Sequence, residues 1–221
     1  VGSRSEEKGR TAISAILAKH PSASISLVQL DADSDASISA AAAHITSQFG
    51  RLDVLVNNAG ICIDPPRDLF PSRDTLAATF NTNVFGPTQL VSALLPLLRR
   101  APAPRIINVS SSLGSIALHL DPARSYRDVK LAAYRMSKAA LNMLTAYLHA
   151  SLAGEGVKVW SYCPGYVVTD LGGEDYRKMK EGEEWCESSE TSAVGIREIV
   201  EGERDGEVGT FVTKRGEAYP W

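Results

Sequence analysis

Leu52-Asp53-Val54-Leu55-Val56, Arg105-Ile106-Ile107-Asn108-Val109 and Val157-Lys158-Val159-Trp160-Ser161-Tyr162 are short, largely apolar runs, and helical spacing fills the intervals between them. A strand covered on both faces has this near-continuous apolar character, whereas a sheet with one wet face alternates. Helices joining such strands serve as crossovers between parallel neighbours. The chain is therefore expected to form an α/β doubly wound parallel sheet, Rossmann-like, as a single domain over residues 1–221.

The remaining elements follow from the same periodicities. Glu6 to His20 carries Ile13, Ile16 and Leu17 at helical spacing and stops at Pro21. Ile25 to Leu30 reads as a strand. Asp33-Ser34-Asp35 offers capping groups for a helix with Ile38, Ala42, Ile45 and Phe49 inward and Gly50 at its end. Helical patterns recur from Asp74 to Arg100 and from Lys130 to Leu152, with Leu131, Leu141, Leu144 and Leu148 on one side of the second. Met136 and Met143 are expected in the core. Thr210 to Thr213 is a short last strand, and the polar stretch Gly172 to Ser189 is expected to be a loop or lid.

Composition narrows the function classes. No run approaches about 18 apolar residues, so no membrane span is expected. Lys and Arg total 23 against 26 Asp and Glu, a net charge of −3, and no dense basic cluster is present, so nucleic acid is not an expected partner. Cys62, Cys163 and Cys186 are odd in number and far apart, which points to a reducing compartment rather than a disulfide framework. His20, His44, His119 and His149 lack metal-ligand spacing, so no metal site is expected. With no charged-then-apolar segment at Val1-Gly2-Ser3-Arg4, the expected location is cytoplasmic.

Open parallel sheets bind ligands beyond the carboxyl ends of their strands. Those ends are followed by Asn57-Asn58-Ala59-Gly60, by Ser110-Ser111-Ser112-Leu113-Gly114 and by Cys163-Pro164-Gly165-Tyr166-Val167-Val168-Thr169-Asp170; Asp31 and Arg4 occupy the corresponding places earlier in the chain. A tyrosine four residues before a lysine on a helix shares a face with it. A nearby cation favours the phenolate and lowers the phenol pKa. The spacing occurs at Tyr126/Lys130, Tyr134/Lys138 and Tyr176/Lys180. Context separates them: Tyr134-Arg135-Met136-Ser137-Lys138 opens an apolar helix, and the other two lie in polar stretches.

Together, Asn57-Asn58-Ala59-Gly60, Asn83 within Asn81-Thr82-Asn83-Val84, Ser111, Tyr134-x-x-Ser137-Lys138 and Pro164-Gly165 with Thr169 resemble the short-chain dehydrogenase/reductase family in its single-domain, carbonyl-reductase-like form. The resemblance implies an NADP(H)-dependent oxidoreductase interconverting a ketone or aldehyde and an alcohol. In it Tyr134 is the acid/base, Lys138 lowers the Tyr134 pKa and holds the nicotinamide ribose, Ser111 donates to the carbonyl oxygen, and Asn83 supports a proton path to Lys138. Asn57, Ala59 and Gly60 would line the adenosine side through their backbone, and Asp31 would meet the adenine amino group. Pro164, Gly165, Val168 and Thr169 would hold the carboxamide. Arg4, at the end of the second family strand, suits a 2′-phosphate and favours NADP(H) over NAD(H). Bland alternatives stand beside these: Asp31 as a turn cap, Arg4 as a solvated charge, and Ser110 in place of Ser111.

Two departures from the family are visible. The family opens with a strand, a glycine-rich turn and a helix that carries pyrophosphate at its N-terminus, and no such segment precedes Val1-Gly2-Ser3-Arg4. The first strand and helix are thus expected to be missing, leaving two strands facing a slot; such a chain is expected to bind NADPH poorly and could be a catalytically silent dinucleotide-binding or interaction module. The stretch from Ser111 to Tyr134 is also longer than the family pattern. Its extra segment, around His119-Leu120-Asp121-Pro122-Ala123-Arg124-Ser125-Tyr126, would border a pocket for a small-molecule carbonyl or alcohol and favours a monomer or homodimer.

Overall fold

The computed structural model describes residues 1–64, 69–123, 129–174, 177–178, 186–214 and 216–221. In chain order the elements are β1 (Gly2–Ser3), α1 (Glu6–Lys19), β2 (Val28–Gln29), α2 (Asp35–Phe49), β3 (Val54–Asn57), α3 (Arg73–Phe80) and α4 (Gly86–Leu98). They continue as β4 (Arg105–Val109), α5 (Ile116–Leu120), α6 (Ala132–Leu152), β5 (Lys158–Cys163), α7 (Ser189–Glu201), β6 (Phe211–Thr213) and β7 (Ala218–Tyr219). The fold is a Rossmann-like α/β domain built on a parallel sheet.

Serines start five of these helices. Ser5, Ser34, Ser72, Ser115 and Ser188 accept hydrogen bonds from the first-turn N–H groups of α1, α2, α3, α5 and α7, which would otherwise lack partners. Gly50 and Gly202 close α2 and α7 with φ of 70° and 88°, a left-handed conformation that costs glycine little.

β3, β4, β5 and β6 pair in parallel, and β7 adds an antiparallel edge to β6. Alternation along β4 and β5 divides the core. Ile106 and Val159 pack with Val91, Leu98, Leu148 and Leu152 of α4 and α6, while Ile107, Trp160 and Tyr162 pack with Ile199 of α7 and Val212. Full burial of such a side chain contributes about 1.5–3 kcal/mol. These two layers hold rigid the strand ends where the site lies.

β1 and β2 form a separate two-stranded parallel sheet. Among the described residues no strand joins β1 to β3. A cleft of about 590 Å3 lies there, lined by Val1, Val28, Ile45, Phe49, Leu52 and Asp53 among others. The smaller unit is fastened by packing instead: Ile38, Leu90, Leu94 and Leu97 form a cluster between α2 and α4, and Thr82 donates to Asp33 at 3.1 Å.

Several expectations need correction. The strand expected over 25–30 shrinks to Val28–Gln29, because β1 pairs with it over two residues. Phe49 is 60% exposed at the overhanging last turn of α2. Met136 and Met143 are exposed, since the buried face of α6 runs through Tyr134, Ser137, Leu141, Thr145, Leu148 and Leu152. The helix expected from Asp74 to Arg100 is interrupted by a wider π turn at Asn81–Phe85. α5, α7 and β7 were not expected. Tyr126, Tyr176 and Lys180, the residues 124–126 of the extra segment, and much of the expected lid lie outside the described residues. Among the described residues no helix is long and apolar enough to cross a membrane.

Candidate active site

The site is organised around the start of α6. Leu131 occupies the cap position with φ of 68° and has no polar side chain to offer. The carboxylate of Asp64 replaces the missing cap: its Oδ1 accepts from the Ala133 N–H at 2.6 Å and its Oδ2 from the Tyr134 N–H at 3.1 Å. Arg135 Nε donates to the Val129 carbonyl at 3.0 Å and steadies the approach to the helix. From this start the helical repeat places Tyr134, Ser137 and Lys138 on the buried face.

Lys138 Nζ lies 5.6 Å from the centre of the Tyr134 ring and donates to the Val109 carbonyl, at the end of β4, at 2.7 Å. Ser137 Oγ donates to the Tyr134 carbonyl at 2.7 Å. Asn83, fully buried in the π turn, donates to Ser137 Oγ and to the Ile61 carbonyl, both at 2.9 Å, and accepts from the Ile61 N–H at 2.8 Å. Asn83 therefore ties the loop after β3 to α6. The widened turn is what directs this amide inward.

Three adjacent serines follow β4, and their surroundings differ. Ser110 is buried and donates to Asn142 Oδ1 at 2.6 Å, so it belongs to the core. Ser111 is hydrogen-bonded to the Tyr134 side chain. The Ser112 N–H donates to Cys163 Sγ at 3.2 Å. Gly114 brings this turn against α6: a Cβ there would lie 2.6 Å from the Lys138 carbonyl carbon, so the close approach requires glycine.

Electrostatics depart from the simple expectation for the pair. Burial pushes the Tyr134 phenol up, the Cys62 and Cys163 side chains add to the rise, and the Ser111 hydrogen bond opposes it. Burial pulls the Lys138 ammonium down to about 8. Desolvation therefore dominates the Tyr134 phenol in this arrangement, while the Lys138 amine is engaged by the Val109 carbonyl. The phenol keeps its proton throughout the neutral range.

The residues expected at a dinucleotide lie at or just beyond the carboxyl ends of strands in the two sheets. Asn57 donates from Nδ2 to Asn108 Oδ1 at 2.8 Å, so its side chain lies within the sheet, and its Oδ1 is buried without a partner among the described residues. Gly60 faces Asn83 and Lys138: an added Cβ would stand 3.4 Å from both Asn83 Oδ1 and Lys138 Nζ. Pro164 accepts from Ser192 Oγ at 2.9 Å, Gly165 has φ of 84°, the Val168 N–H donates to the Glu187 carbonyl at 3.0 Å, and Thr169 Oγ1 accepts from Leu171 N–H at 3.4 Å. Asp31 Oδ1 accepts from the Asp33 N–H at 3.1 Å, which makes it a turn former. Arg4 is exposed between β1 and Ser5, the cap of α1.

Asp64 and Cys62 were not singled out from the sequence, although Cys62, Leu113, Val129, Leu131 and Leu171 pack around Tyr134. One signal for Asp64 was available. Lys130-Leu131-Ala132-Ala133 contains no capping side chain, so a helix starting there needs a partner from elsewhere.

Comparison with known proteins agrees with this geometry. The short chain dehydrogenase family model matches residues 1–180, and the chain belongs to that family. The short-chain dehydrogenase anuI of Penicillium roqueforti is 38% identical over 189 residues, covering 82% of this chain and 73% of the relative. Among solved structures, the NADPH-bound carbonyl reductase from chicken fatty liver superposes with a TM-score of 0.80 at 28% identity, covering 96% of this chain and 82% of that one. Carbonyl reductase Sniffer of D. melanogaster gives 0.81 at 28% identity, over all of this chain and 86% of the other. The protein is thus a short-chain oxidoreductase of a family that binds nicotinamide dinucleotides. The residues present fit such a group, since Gly60 leaves beside Lys138 Nζ and Asn83 Oδ1 a space that a Cβ would fill at ordinary contact distance, 3.4 Å from each.

Proposed function

We propose that the protein is an NADP(H)-dependent reductase that interconverts a ketone or aldehyde and the corresponding alcohol, with Tyr134 as acid/base. The observation that carries this reading is the buried Tyr134 phenol, hydrogen-bonded to Ser111, with Lys138 one helical turn away on the same face. When bound, the nicotinamide supplies the hydride. Tyr134 gives its proton to the carbonyl oxygen as negative charge gathers there, and Ser111 provides a second donor to that oxygen. Lys138, with its pKa near 8, carries its charge at neutral pH and stabilises the phenolate left behind. Asn83 holds Ile61 and Ser137 in place around the pair.

Lys138 and Gly60 would face the nicotinamide ribose, Pro164, Gly165, Val168 and Thr169 its carboxamide, and Asn57, Ala59 and Asp31 the adenosine. Arg4, exposed beside the N-terminus of α1, favours NADP(H) over NAD(H). Around Tyr134 the described neighbours Leu113, Val129, Leu131 and Leu171 are apolar, and Ile116 and Leu120 are exposed on the helix that follows the Ser111 turn. These surroundings favour an apolar carbonyl compound over a carboxylated or phosphorylated one.

The test is a panel of apolar ketones, aldehydes and 2-oxo acids with NADPH and with NADH, following cofactor oxidation at 340 nm. Turnover of apolar ketones with NADPH supports the proposal; absence of turnover across the panel overturns it. NADPH binding by fluorescence without oxidation of any panel member would instead indicate a dinucleotide-binding module without turnover.

A further inference from the structure

We infer that Asp64 is a positioning residue for Tyr134, setting the place of its phenol from across the fold. The inference rests on Tyr134 acting as the proton donor. α6 begins at an apolar residue in the left-handed region, a conformation disfavoured for a bulky side chain, and its first N–H groups have no local cap. Asp64, 7% exposed, meets two of them with its two oxygens, and one of the two is the main-chain N–H of Tyr134 itself. Residue 134 is therefore held directly at its backbone.

The loop bearing Asp64 is itself fixed. Three residues earlier Ile61 is clamped through both its N–H and its carbonyl by Asn83, which also reaches Ser137 on α6. The loop is thus fastened at Ile61 to the π turn and at Asp64 to the helix. Ser111, the hydrogen-bond partner of the phenol, stands on a different turn, packed on α6 at Gly114. The relation between the two proton donors depends on where α6 starts. A displacement of about 1 Å in such a constellation can lower turnover about 100-fold.

Asp64→Ala removes both acceptors, and Asp64→Asn keeps one while presenting an NH2 to the second N–H. Ser72→Ala removes a helix cap of the usual local kind at α3 and serves as control. Hydrogen exchange of the segment 132–138, kcat, and NADPH affinity by fluorescence are measured for each. In Asp64→Ala the exchange of that segment is expected to accelerate and kcat to fall about 10- to 100-fold, with NADPH affinity within about twofold of the parent. Asp64→Asn is expected to lie between, and Ser72→Ala to leave kcat within about twofold. Should Asp64→Ala not fold, the Asn variant decides. Unchanged exchange at 132–138, unchanged kcat in a folded Asp64 variant, or an equal loss of kcat in Ser72→Ala overturns the inference. If the parent reduces no carbonyl compound, the proposed reaction fails, and the exchange result still decides whether Asp64 holds Tyr134.

Discussion

Lys138 lies under the Tyr134 ring, 5.6 Å from its centre, but its hydrogen bond goes to the Val109 carbonyl at the end of β4. The amine is thereby registered to the sheet while the phenol is registered to Ser111 and, through its backbone, to Asp64. The phenol and the amine beneath it are held by separate parts of the fold.

Tyr134→Phe removes the O–H and retains the ring that packs with Leu113 and Leu131. Carbonyl reduction is expected to fall about 10²- to 10⁴-fold with the melting temperature and NADPH affinity little changed. Initial rates combined with a thermal melt check this, and a variant retaining full activity removes Tyr134 from the mechanism.

The Lys138 ammonium, buried and pulled down to about 8 from an ordinary 10.5, gives a signed pH effect on stability. Between these values the unfolded chain binds the extra proton, so stability from this group rises with pH over that window and is lowest below it. The full difference corresponds to about 3 kcal/mol. Tyr134 acts oppositely above its ordinary 10, where the unfolded chain loses a proton that the folded chain keeps. Urea melts from pH 7 to 10 without added NADPH should therefore show the parent gaining stability relative to Lys138→Met. A flat difference across that range would contradict the burial argument.

Gly114→Ala places a Cβ 2.6 Å from the Lys138 carbonyl carbon and 2.8 Å from the Ala139 nitrogen, both backbone atoms inside a helix. Neither can yield without moving α6 or the turn that carries Ser111. A destabilisation of about 1–3 kcal/mol is expected, together with a lower kcat, measured by urea unfolding and initial rates. Gly154→Ala, which meets nothing within 4 Å, is the matched control.

Arg4→Glu tests cofactor choice. Replacing an exposed guanidinium by a carboxylate beside α1 should weaken NADPH about tenfold and leave NADH nearly unaffected. The ratio of kcat/KM for the two cofactors reads this directly, and equal effects on both would assign Arg4 to the solvated surface.

Much of this architecture is legible in the chain because its informative signals are local. The apolar runs that become β3, β4 and β5 and the four-residue interval from Tyr134 to Lys138 need no tertiary knowledge. α7 is hard to see in the sequence because its buried face is made of Ser192, Gly195 and Ile199, with Gly195 close against Tyr162, so small residues hide the apolar period. The break in the helix from Asp74 to Arg100 comes from a π turn whose purpose, aiming Asn83 at Ile61 and Ser137, exists only once three segments meet. Asp64 is the plainest case: a carboxylate in a loop is unremarkable in sequence, and its value arises from a contact with Ala133 and Tyr134 far along the chain. Likewise, a cation near a phenol is legible from spacing alone, whereas the desolvation that pushes the Tyr134 phenol up is invisible in sequence.

Asn83 grips Ile61 through both of its main-chain groups, and Asp64 grips the first turn of α6. The short stretch from Ile61 to Asp64 therefore works as a strut, and a push on that loop is passed to the backbone of Tyr134.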